Sequence, residues 1–81
     1  MTMNLMAMMK VTAVDHGGGR THIGYAHQDA GGYVGWDTNQ VWLGKTIKSR
    51  FATDREVVNA MVKAAKLDPR SIKSIHWQAD V

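Results

Sequence analysis

The chain has 81 residues, with ten Lys or Arg against seven Asp or Glu, four His and no Cys. That length allows one domain with a modest core, burying about 60–65% of the unfolded surface. It excludes disulfides, thiolate metal sites, a thiol nucleophile and a bilayer-spanning apolar run, and its charge of +3 permits a polyanionic partner without requiring one.

Five of the six methionines fall within residues 1–9. This start lacks the basic region and cleavage pattern of a signal peptide. It reads as a frayed leader over 1–8, or as several possible starts with Met9 the working one, followed by one α+β domain over 9–81. A reducing, cytoplasmic location fits the lack of cysteine.

Four extended segments come next, at 8–15, 21–28, 33–37 and 41–51. Turn-forming runs separate them: Gly17-Gly18-Gly19, Asp29-Ala30-Gly31-Gly32 and Asp37-Thr38-Asn39-Gln40. Such short loops predict an antiparallel meander. Thr53-Asp54-Arg55-Glu56 has the spacing of a capping box and opens a helix expected over 53–67. Val57, Ala60, Met61 and Ala64 form its apolar stripe, and Asp68-Pro69 stops it. Residues 72–79 read as a last strand with Ile75 and Trp77 on one face. The expected architecture is ββββαβ, a four-stranded meander with one helix on one face and a C-terminal strand.

Four-residue loops at 29–32 and 37–40 put Tyr25 opposite Trp36, His27 opposite Val34, Trp36 opposite Val41 and Val34 opposite Leu43. This face, extended by Ile23, Val11, Ala13, Ile47 and Phe51, is expected beneath the helix. Lys45 and Ser49 fall on it as exceptions, Lys45 reaching out to water. The opposite face then carries Thr12, Val14, His22, Gly24, Ala26, Tyr33, Gly35, Trp42, Thr46, Lys48 and Arg50. Most of these are small, so the surface is expected to be flat and open. An exposed Trp and Tyr on such a surface suggest a contact site, the alternative being that Trp42 only covers the backbone beside Gly35. Trp42 and Tyr33 are the expected anchors, ringed by Lys48, Arg50 and His22, with Lys45 beside them.

Signals for chemistry are weak. His16, His22, His27 and His76 lack helical zinc spacing and have no cysteine to complete a site, so turn and surface roles outrank a cluster of Asp15, His16 and His22. Gly17-Gly18-Gly19-Arg20 reads as a hairpin turn ahead of an anion-binding nest. Neither a nucleophile triad in a recognisable context nor a dinucleotide fingerprint occurs, and no catalytic residue or cofactor is expected.

Asp15 ends the first strand, Glu56 lies on the helix and Asp80 follows the last strand. That order resembles the opening half of a ribonuclease-H-like domain, in topology more than in motif. The resemblance implies three carboxylates holding a divalent metal for phosphodiester cleavage. The chain departs from it in having an extra extended segment before the helix and no serine after Asp80. Partial folds of this kind also occur in non-catalytic modules, including some antitoxins.

The residues therefore point first to a small non-catalytic binding protein that occupies a surface of a protein or ribonucleoprotein partner. Phage and mobile-element inhibitors, anti-CRISPR proteins among them, are of this type. The second expectation is a nucleic-acid module on the same face, with Tyr33 and Trp42 stacking bases while Lys45, Lys48, Arg50 and Lys73 hold phosphates. A metal-dependent nuclease on Asp15, Glu56 and Asp80 ranks third. No membrane partner is expected, and a homodimer through a sheet edge or face is compatible with the size.

Overall fold

Residues that alternate in character through the first half of the chain form β1 (Met9–Asp15), β2 (Arg20–Asp29) and β3 (Gly32–Trp36) in a computed structural model. They are followed by α1 (Asp54–Ala64), one turn of 3₁₀ helix at Pro69–Ser71, and β4 (Ile72–Ala79). The structure describes residues 8–29, 31–44 and 50–79. All strand pairings are antiparallel, and the sheet order is β3-β2-β1-β4. The α+β class is the expected one. The fourth extended segment, 41–51, contributes two bridges on the outer edge of β3, Trp36 with Trp42 and Tyr33 with Phe51. Ile47, Thr46 and Ser49, each assigned to a face from the sequence, lie outside the described residues.

The helix begins as its sequence dictates. Thr53 Oγ1 accepts from the Glu56 N–H at 3.2 Å, and Glu56 Oε2 accepts from the Thr53 N–H at 3.0 Å. This closes both halves of the capping box. The helix ends earlier than the proline requires, with Ala65 as its cap and Lys66 in the left-handed region at φ 60°. The Lys66 N–H donates to the Lys63 carbonyl and the Leu67 N–H to the Val62 carbonyl, both at 3.1 Å. That pair of bonds satisfies the last carbonyls, and the left-handed position favours glycine. Lys66→Gly is accordingly expected to stabilise the protein by about 1 kcal/mol, read as a higher urea midpoint at unchanged m-value.

Asp68 caps the following turn. Its carboxylate accepts from the Arg70 N–H at 3.0 Å and from the Arg70 guanidinium at 3.3 Å. The backbone bond first, and the side-chain bond second, hold its pKa below the usual carboxylate range. A lowered folded-state pKa stabilises above the unfolded value, and the effect is lost as pH falls through the folded one. The stability gap between wild type and Asp68→Asn should therefore close as pH drops below about 4, measured by urea unfolding at pH 6 and pH 3. A gap that holds constant would show that Arg70 does not lower this pKa.

The core joins Val11, Ala13, Ile23 and Ala26 of the sheet to Val57, Val58, Met61 and Val62 of the helix. The buried stripe of α1 is therefore rotated from the expected one. Ala64 is exposed and Ala60 half-buried, because turning Val58 and Val62 inward removes more apolar area from water.

A larger correction concerns which sheet face the helix covers. Tyr25 pairs with Trp36 and His27 with Val34 as expected, yet α1 lies on the other side, over Gly24, Ala26 and Gly35. A Cβ built on Gly35 would stand 2.5 Å from Val57 Cγ2 and 3.4 Å from Met61 Cε. One built on Gly24 would meet the Trp36 carbonyl oxygen at 2.3 Å and Met61 Sδ at 3.0 Å. The small residues form a seat for the helix, where they had suggested a bare surface. Val11 and Ala13 still reach this core because β2 carries one extra residue. Val11 faces Gly24 and Thr12 faces His22, which leaves Ile23 as the bulge. His22 Nε2 lies 3.0 Å from the Gly24 carbonyl oxygen. A carbonyl only accepts, so this contact requires the proton on Nε2.

Candidate functional site: the open face of the sheet

Among the described elements, neither α1 nor the 3₁₀ turn packs on the second face of the sheet. Cross-strand pairing sets its side chains in rows. One row crosses every strand: Trp42 pairs with Trp36, Trp36 with Tyr25, Tyr25 with Lys10, and Lys10 with Gln78. The next row toward the β1–β2 turn is His22, Thr12 and His76, and beyond it stand Arg20, Val14 and Ser74. On the other side, His27 faces Val34, which is only 3% exposed.

The rings touch one another. The Trp36 and Trp42 centroids are 5.7 Å apart at 78°, His27 and Trp36 are 5.5 Å apart at 47°, and His22 and Tyr25 are 4.7 Å apart at 80°. Edge-to-face and tilted contacts of this kind hold rings in fixed orientations. Tyr25, Trp36 and Trp42 are half-buried on this face. An open groove of about 430 Å³ runs beside them, lined among the described residues by Met8, Tyr25, Trp36 and Gln40.

Lys10 and Arg20 stand on this face together with His22, His27 and His76. Asp15 and Asp37, near its rim, turn back into their own loops. Asp15 Oδ1 accepts from the N–H groups of Gly17 and Gly19 at 2.9 and 2.8 Å. The amides of the triple-glycine turn thus already hold an internal anion. Asp37 Oδ1 likewise accepts from Asn39 and Val41 at 2.8 and 2.9 Å.

The residues nominated from the sequence divide between two faces. Trp42 and His22 lie on the open face. Tyr33 lies on the helix side, its ring 6.5 Å from that of Trp77, and is not part of the same surface. The cause is the loop after β3. The Asp37 N–H donates to the Val41 carbonyl, the Gln40 N–H to the Asp37 carbonyl, and Gln40 is left-handed at φ 65°. That is a three-residue loop, in place of the expected four. The one-residue difference turns Trp42 to the side of Trp36 and leaves Val41 57% exposed, outside the core expected to hold it. Arg50 is exposed immediately before the Phe51 bridge. Lys45 and Lys48 lie outside the described residues. Tyr25, Trp36 and Lys10 join the open face, although the sequence pattern places Tyr25 and Trp36 in the core and does not single out Lys10.

Of the three carboxylates, Asp15 ends β1 opposite Ile72 and is bonded to its own turn, and Glu56 is held in the helix cap; Asp80 lies outside the described residues. Among the described residues no group of three His, Asp or Glu is placed to hold a metal ion, and no helix is long and apolar enough to cross a membrane.

No protein-family model, no curated protein and no solved structure matches this chain.

Proposed function

We propose that the protein is a non-catalytic binding module that occupies a surface of a protein or ribonucleoprotein partner through the open face of its sheet. The supporting observation is the row Trp42, Trp36, Tyr25 and Lys10, in which half-buried rings pack edge-on or tilted against their neighbours. Trp and Tyr dominate binding energy where they are pre-ordered, because little rotamer freedom is lost on docking. In this reading the protein acts stoichiometrically, as phage and mobile-element inhibitors do, by covering a surface that its partner needs.

Affinity capture from a host lysate tests the reading when wild type is compared with Tyr25→Ala and Lys10→Glu. Lys63→Glu, on the exposed side of α1, serves as the control. A partner retained by wild type and by the control, and lost from both face variants, is the expected result. Equal recovery by all four proteins contradicts it.

A further inference from the structure

We infer that the ligand class of this face is single-stranded nucleic acid. The inference rests on the docking reading above and names the chemistry that the face recognises.

Three features carry it. Tyr25, Trp36 and Trp42 lie in a row across adjacent strands, the two indoles edge-to-face at 5.7 Å, and unpaired bases stack on open ring faces whatever their sequence. A duplex hides its base faces in its own stack, so only a single strand can use them. Second, Lys10 stands within the row, between Tyr25 and Gln78. Lys is depleted in the cores of protein–protein interfaces, whereas an ammonium beside a stacking ring is suited to the phosphate joining two stacked bases. Gln78, next across the sheet, brings an amide that both donates and accepts, which suits base edges.

Third, Lys10 and Arg20 stand on the face, paired with Tyr25 and Val14, while Asp15 and Asp37 at the rim are bonded to their own loop amides. Such a surface complements a run of phosphates. The groove beside Met8, Tyr25 and Trp36 gives one base a place against the Tyr25 and Trp36 rings.

Fluorescence anisotropy with labelled 12-nucleotide oligouridine and oligothymidine provides the test. A duplex of equal length and a polyglutamate peptide are the comparison probes. The single strands should bind, the duplex at least tenfold more weakly, and polyglutamate more weakly still. With Lys10 and Arg20 each neutralising one phosphate, affinity should fall about sevenfold between 50 and 200 mM salt. Tyr25→Ala should weaken binding by about 5- to 150-fold, the range for losing one stacked base. Lys10→Gln should flatten the log–log salt slope by about 0.7, a change that a folding defect does not produce.

Undetectable binding of both single strands at 50 mM salt overturns the inference. So does polyglutamate binding as tightly as the oligonucleotides, or an unaltered salt slope in Lys10→Gln. If the oligonucleotides fail while face-dependent capture of a partner persists, the ligand class is wrong and the docking reading stands. Loss of both removes the docking reading as well.

Discussion

Gly35→Val is expected to cost about 3 kcal/mol, lowering the thermal midpoint by about 12–24 °C in a domain of this size. The added Cβ alone would stand 2.5 Å from Val57 Cγ2, with Met61 Cε at 3.4 Å and Leu43 Cδ1 at 3.6 Å. Val57 is β-branched and fully buried, so it has no spare rotamer into which to retreat. The helix must lift from β3, and lifting it also opens the contacts of Met61. The sign of the effect is informative. Were Gly35 on an open face, valine would suit the strand better than glycine and stability would rise. His76→Val, on the face that the helix leaves uncovered, should change stability by no more than about 0.5 kcal/mol. Thermal unfolding of the two variants beside wild type checks both statements.

Met61→Ala should cost about 2–5 kcal/mol. Met61 is completely buried and lies against Gly24 and Gly35. Alanine there leaves a cavity floored by glycines, which have no side chains to fill it. A chain of 81 residues has about 4–12 kcal/mol of stability in all, so this one truncation removes a large fraction. Urea unfolding should show a lower midpoint with little change in slope. Met61→Leu, close in volume, should cost less than about 1.5 kcal/mol. A Met61→Ala variant as stable as wild type would mean that the helix does not rest where described.

Much of this architecture is readable in local chemistry. The capping box at Thr53 and Glu56 marks the helix start because its bonds lie within four residues. The 72–79 strand has the same bounds in sequence and structure, and the pairing of Tyr25 with Trp36 follows from the Asp29–Gly32 turn. What local chemistry does not reveal is the side of the sheet on which the helix settles. β2 and β3 carry rings on one side and Gly24, Ala26 and Gly35 on the other, so hydrophobicity points to the ringed side as the core. Steric fit decides otherwise. A helix bearing Val57 and Met61 approaches closest where the sheet has no side chains, and the depth of that contact is a property of two distant segments.

Two smaller features compound the difference. The bulge at Ile23 lets β1 and β2 contribute to one core although strict alternation would separate them. The three-residue loop after β3 places Gln40 at a left-handed position, where no Gly or Asn announces it. Trp42 and His22 consequently stand on the open face, whereas Tyr33 stands on the other and Tyr25, Trp36 and Lys10 take its place in the candidate site.

The most direct test of the helix position is a nuclear Overhauser spectrum of the protein with its methionine methyl groups labelled. The ε-methyl of Met61 should show cross-peaks to the α-protons of Gly24 and Gly35, and none to the indole protons of Trp36 or Trp42. Cross-peaks from that methyl to the Trp36 indole, with none to the two glycines, would place the helix on the ringed face and contradict both the fold described and the site built on it.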